Sequence, residues 1–229
     1  DIIDPITEVY RIKEEFKKRQ ELKGLQKTVK RIKSEKYLPA TGIKKYLMLV
    51  EGESALGGLM PVLGRKDVGY YTLKGKPLNS YSADQKKFTQ NKELSELYQV
   101  IQNEGYQKVI FATDQDLDGI HIRGLLIGFF HKYLPELKGS IGSLNTPVIA
   151  VKKGKDLQRW YYNLNDDVKI NKGETSKYYK GLGSHKEVDL KYIVQTDGLD
   201  KMIDIFEFND DEVIDDWLSD KKADVRKEH

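Results

Sequence analysis

Short apolar runs and longer helical periodicities alternate along this chain. Tyr46-Leu47-Met48-Leu49-Val50 is continuously apolar over a strand's length, the pattern of a strand buried on both faces. It stops at Glu51-Gly52-Glu53-Ser54, where Ser54 can cap an Ala/Leu/Gly-rich helix reaching Leu63. Gly69 to Leu73 predicts a second strand, closed by a Lys74-Gly75-Lys76-Pro77 turn. A polar-faced helix is expected over 84–104, ending at Gly105. Lys108 to Thr113 is another buried strand, and it runs into Asp114-Gln115-Asp116-Leu117-Asp118-Gly119. Ile122, Leu125, Leu126, Phe129, Phe130 and Tyr133 then recur on one helical face, stopping before Pro135. Val148 to Val151 predicts a further strand, with a hairpin turn at 152–155 leading into Trp160-Tyr161-Tyr162.

Strands that alternate with helices imply an α/β fold, a doubly wound parallel sheet flanked by helices. Ligands of such sheets collect beyond the carboxyl ends of the strands. Glu51 and the Asp114/Asp116/Asp118 group both fall at such ends. Residues 1–44 read as a helical, basic lead-in: Asp4-Pro5 begins a helix carrying Ile6, Val9, Tyr10, Ile12 and Phe16, and Gly24 closes it. Leu25, Val29 and Ile32 permit a second, weaker helix before Pro39 and Gly42. A central unit is drawn over 45–152 and an α+β tail over 153–229. Within the tail Ser184-His185-Lys186-Glu187 has capping-box spacing, Asn209 is placed to cap an acidic helix through Leu218, and 219–229 is expected to fray.

The net charge is only +3, but its distribution is uneven. Residues 1–45 hold 13 Lys and Arg against 7 Asp and Glu, and 200–229 hold 5 against 11. The basic entry segment suits a nucleic-acid partner, although a solvated helix face would look the same. With no cysteine, thiolate metal sites and disulfides are excluded, which fits a reducing compartment. No run approaches the roughly 18 apolar residues of a membrane span. The start lacks Met and any signal-peptide pattern, which suggests a processed or split piece of a larger protein.

In extended chain the spacing of Asp114, Asp116 and Asp118 puts three carboxylates on one side. Their mutual repulsion invites a divalent cation, and oxygen-only ligands point to Mg²⁺ or Ca²⁺. The D-x-D-x-D-G spelling also fits a calcium-binding loop, but its twelfth position is Leu125 rather than Glu and a strand precedes it. Glu51 is a further ligand or a proton shuttle at the neighbouring strand end. Lys74 and Lys76 flank a turn suited to phosphate contact. His121 and Arg123 lie in the first turn of a helix, where anions are favoured. No nucleotide-binding P-loop spelling occurs. His131, His185 and His229 lack ligand spacing and read as structural.

Five stretches, in this order, resemble the Toprim region of type IIA DNA topoisomerases: Glu51–Ala55, Leu73–Asn79, Thr113–Ile122, Tyr178–Gly183 and Lys221–Glu228. This sequence departs from the family's usual spelling at Glu53, where Asp is common, and at Thr72, where Pro is common. The wording of Lys180-Gly181-Leu182-Gly183 leans towards a phage or eukaryotic-like enzyme. The resemblance implies a Toprim, Rossmann-like sheet and reversible transesterification of DNA by a tyrosine. It implies Mg²⁺, as one or two ions, held by Glu51, Asp114 and Asp116 with Asp118 in support, and Glu51 as the catalytic carboxyl. Lys74, Lys76, Asn79, His121, Arg123 and Lys180 would face DNA. None of the 14 tyrosines follows an Arg, the family's setting for the nucleophile. The nucleophile is therefore expected from a winged-helix breakage-rejoining partner, and ATP would be used by an ATPase module upstream or in another chain, not bound here. The expected location is cytoplasmic, nucleoid or nuclear, or the host cytoplasm for a viral enzyme. A Toprim nuclease or a non-catalytic DNA-binding scaffold is the alternative.

Overall fold

The computed structural model describes residues 34–208 and 210–227. The helices expected before residue 34 lie outside the described residues; within the rest of the lead-in, Tyr37–Leu38 is a two-residue strand, β1. The central sheet continues with β2 (Tyr46–Glu51), β3 (Val68–Leu73), β4 (Lys108–Ala112), β5 (Ile141–Leu144) and β9 (Ile203–Ile205), in the order β1-β3-β2-β4-β5-β9. The four inner strands are parallel, and the outer two, β1 and β9, are antiparallel to them. The sheet is thus mixed at its edges around the expected parallel centre.

Strand periodicity sorts the apolar runs onto two faces. Leu47, Leu49, Tyr71, Leu73, Val109 and Phe111 share one core. They pack with α3 (Lys92–Glu104) and α4 (Leu117–Tyr133), and Phe88 of α2 (Gln85–Gln90) stacks on Tyr133 with ring centroids 4.0 Å apart. Met48, Val50, Tyr70, Ile110 and Ala112 face the other core, against α1 (Gly52–Leu63) and α5 (Glu187–Asp197). Each such buried Leu, Ile or Phe contributes about 1.5–3 kcal/mol over exposure, so β2, β3 and β4, buried along almost their whole length, are well secured.

Several expectations are corrected. The helix drawn over 84–104 breaks at Asn91, whose side chain accepts the Leu94 amide at 2.9 Å, while Asp84 caps the first piece through Lys87. Helix α1 starts at Gly52 without a side-chain cap, leaving Ser54 in its first turn. The Ser184 capping box does not form: Ser184 Oγ instead donates to the Gly181 carbonyl at 2.6 Å, and α5 starts at Glu187. Asn209 lies outside the described residues. Asp210 accepts the Glu212 and Val213 amides and opens α6 (Asp211–Leu218).

The expected hairpin is present as β6 (Ile149–Lys153) and β7 (Asp156–Tyr161), and β8 (Thr175–Tyr178) joins β6 to complete a small antiparallel sheet. A boundary at 152 falls inside β6. Beyond α6 the chain is held down over the turn that follows β3. The Leu218 carbonyl accepts Asn79 Nδ2 at 2.8 Å and Ser82 Oγ at 2.7 Å, Tyr81 donates its hydroxyl proton to Asp215, and Gly128 leaves room for the Leu218 side chain.

Candidate functional site

The two acidic clusters meet at the place where the sheet changes winding direction. From β2 the chain passes through α1 to β3 on one side, then crosses by α2 and α3 to β4 on the other. Glu51 closes β2, and Val50 pairs in register with Ala112, so Asp114 follows the neighbouring strand by two residues. Loops diverge here and leave a crevice, the usual ligand position in doubly wound sheets.

The three aspartates do not lie along extended chain, as their spacing suggested. Asp114 is in the loop after β4, Asp116 is the N-cap of α4, accepting the Gly119 amide at 2.9 Å, and Asp118 is in that helix's first turn. Cap chemistry won over strand periodicity because the Asp-x-x-Gly spacing satisfies an orphan helix N–H. Asp118 pairs with Lys76 Nζ at 2.8 Å, and this ammonium holds its carboxyl below the usual range. Asp114 Oδ1 accepts the Leu182 amide at 2.9 Å.

The electrostatics of the cluster converge on Glu51. Burial, then the charges of Asp114, Asp116 and Asp118, push its carboxyl up, with Lys76 offsetting part of the effect. An added positive charge would relieve that repulsion, and every donor is a hard oxygen, so the residues fit a hard divalent cation. The fit is one of charge and donor chemistry. Among the described residues, no group of three or more His, Asp or Glu side chains is placed to hold a metal ion.

The other expected residues separate into two sets. Lys74, His121 and Lys180 are exposed near the rim. Lys76 is committed to Asp118, and Asn79 to the Leu218 carbonyl. Arg123 is half-buried and donates to Thr113 Oγ1 at 3.3 Å; burial lowers its pKa and the nearby Asp116 charge opposes that. A groove of about 920 Å³ runs from Asp114 and Asp116 to the small sheet, between Tyr162, Tyr178, Lys180 and Ser184.

Sequence reading gave no role to the layer beneath that groove. Tyr179 and His185 are stacked with centroids 4.0 Å apart. Burial and then the Asp189 carboxylate raise the Tyr179 phenol to about 12. Burial, followed by Lys177, lowers the His185 imidazole to about 4. Among the described residues, neither imidazole nitrogen of His185 has a hydrogen-bond partner. Lys152 and Asp189 form a largely buried ion pair beside them. The sequence cues were the family-like stretch Tyr178–Gly183 and the reading of His185 as structural; neither showed the stack.

Comparison with known proteins adds three findings. Residues 46–144 match the Toprim domain family. The chain is 34% identical over 198 residues to a putative mitochondrial DNA topoisomerase 2 of Caenorhabditis elegans, covering 70% of this chain and 17% of that protein. It is 33% identical over 213 residues to DNA topoisomerase 2 of Saccharomyces cerevisiae, covering 82% of this chain and 15% of that one. The chain therefore spans under a fifth of the length of these relatives. A crystal structure of the Plasmodium falciparum topoisomerase II DNA-binding, cleavage and re-ligation domain superposes with a TM-score of 0.73 at 27% identity, over 87% of this chain and 31% of that one.

Proposed function

Because this chain carries a Toprim domain and is similar across it to type II DNA topoisomerases, we propose that it is the cation-binding half of a site that cleaves and rejoins DNA. The observation carrying this reading is the convergence of Asp114, Asp116 and Asp118 on Glu51 across two adjacent strand ends.

In this reading Glu51, Asp114 and Asp116 hold Mg²⁺, with Asp118 in support. When bound, the ion supplies positive charge at a scissile phosphate and its leaving oxygen. The chain's own groups do the rest. Glu51, whose carboxyl is already raised, exchanges a proton with the 3′-hydroxyl oxygen released or consumed in the reaction. Lys74, His121 and Lys180, exposed around the rim, contact backbone phosphates. Lys76 and Arg123 hold the acidic loop as well as facing DNA, and Asn79 acts by fixing the turn that presents Lys74. The attacking tyrosine belongs to a winged-helix partner chain or segment, and ATP is used by a separate module.

The test is to incubate the chain with Mg²⁺ and supercoiled plasmid, with and without a breakage-rejoining partner, then denature with detergent. Covalent protein–DNA adducts are expected only with the partner and on the partner. Adducts on this chain alone would refute the division of labour, and free linear DNA without adducts would indicate hydrolysis by water.

A further inference from the structure

Asp114 is gripped by backbone from two directions. Its Oδ1 accepts the Leu182 N–H at 2.9 Å. A Cβ built on Gly181 would stand 2.5 Å from Asp114 Cγ and Oδ1 and 2.7 Å from Oδ2, closer than any side chain can sit. Gly181 has φ −173° and ψ −179°, extended backbone open to any residue, so glycine is needed there for space and not for conformation. At its main chain, a Cβ on Gly119 would meet the Asp114 carbonyl oxygen at 2.0 Å.

The turn delivering Gly181 and Leu182 is itself fixed. Leu182 is buried in the core formed with α1 and α5. Ser184 Oγ closes the turn on the Gly181 carbonyl, and Tyr179 is buried against His185 just before it. The turn comes from the chain beyond the small sheet, far in sequence from the loop it grips.

We infer that the Gly181–Leu182 turn is a positioning clamp for Asp114. It holds one carboxylate oxygen with an amide and so fixes the orientation in which Asp114 presents its remaining lone pairs to a cation. Gly181 and Leu182 are positioning residues, because they act through Asp114 rather than on the cation. The inference rests on the reading of the acidic rim as a cation site, so its test has one arm that needs no metal.

In the metal-free chain, Asp114→Asn and Gly181→Ala should each shift the Leu182 amide resonance in ¹⁵N NMR spectra. In calorimetric Mg²⁺ titrations, Gly181→Ala should weaken affinity about tenfold or more, the usual cost of disturbing a ligand's supporting contact. The same substitution in an Asp114→Asn background should cost nothing further, whereas a loss through general destabilisation would appear in both backgrounds. A Leu182 amide indifferent to Asp114→Asn would overturn the clamp, and that comparison stands even if Gly181→Ala does not fold. Wild-type chain that takes up no Mg²⁺ would overturn the rim reading, while the amide signal still decides the clamp.

Discussion

The two ends of β2 and β4 solve the same electrostatic problem in opposite ways. At their amino ends, Lys45, Tyr46 and Lys108 surround Asp200: Lys45 Nζ lies 2.7 Å from it, Lys108 Nζ 3.5 Å, and the Tyr46 hydroxyl donates to it. The Lys45 ammonium, then the Tyr46 hydroxyl, bring the Asp200 carboxyl down to about 2. At their carboxyl ends, about 17 Å away at roughly 3.3 Å per residue, Glu51 is pushed upward by burial and then by the charges of three aspartates, with Lys76 offsetting part of the effect. One rim is neutralised by its own lysines. The other keeps a surplus of negative charge around Glu51 that suits a cation or a proton. Surplus charge of this kind marks the working end of a sheet more reliably than the number of acidic residues does.

The sharpest break of this contrast comes from the working rim. Asp116→Asn or Asp114→Asn should lower Mg²⁺-supported DNA cleavage by the assembled enzyme on the order of 100-fold or more, as loss of one charge-stabilising group commonly does, with the circular dichroism spectrum unchanged. Wild-type cleavage by both variants would remove the rim's claim to function.

Next in size is an acid effect that belongs to neither rim. His185 is held neutral, with its imidazole at about 4 in the folded chain against about 6.5 unfolded. The unfolded chain therefore binds the extra proton between those values. Stability should be full above about pH 6.5 and fall by about 3 kcal/mol as pH drops towards 4. Chemical denaturation at stepped pH checks this, and His185→Phe, which keeps the stack on Tyr179, should flatten the slope over that window.

A smaller effect separates the rim's cations. Lys74→Ala should weaken DNA binding by the assembled enzyme several-fold and reduce its salt-dependence slope by about one. Lys76→Ala should change the slope less, because Lys76 already neutralises Asp118. Equal changes for the two would place both on phosphate.

The smallest effect tests the opposite rim directly. Asp200→Asn should lower stability at neutral pH by no more than about 1 kcal/mol, because solvent screens this exposed group, and should leave Mg²⁺ affinity alone. Its contribution is present above about pH 4 and lost as pH falls towards the folded value of about 2. Glu51→Gln should have the opposite sign and raise the melting temperature of the metal-free chain, since a raised carboxyl pKa means the ionised form is disfavoured in the fold. Two variants that destabilise alike would erase the contrast.

Much of the sheet was legible because β2, β3 and β4 are predominantly apolar and need little context to be recognised. β5, β8 and β9 were missed: Ile141-Gly142-Ser143-Leu144 carries small residues between its two apolar ends, Thr175–Tyr178 is largely polar, and Ile203–Ile205 is only three residues long, so only their neighbours make them strands. At the site, Glu51 and the aspartates could be assigned to strand ends, because each acidic stretch follows a continuous apolar run. Their arrangement could not be read. Asp116 is captured by the Gly119 amide and Asp118 by Lys76, contacts that period-2 spacing does not encode. Asn79 carries the same lesson, since its partner is the Leu218 carbonyl, 139 positions away.

That last contact has a mechanical consequence. Asn79 and Ser82 both pull on one carbonyl, and the Leu218 side chain is lodged where Gly128 leaves a notch in α4. Helix α6 is therefore latched to the turn carrying Lys74 and Lys76 and to the helix that begins at Asp116. A force applied along α6 reaches both walls of the crevice within a few bonded contacts. At this corner of the molecule a single residue, Leu218, ties the last helix to both of its neighbours.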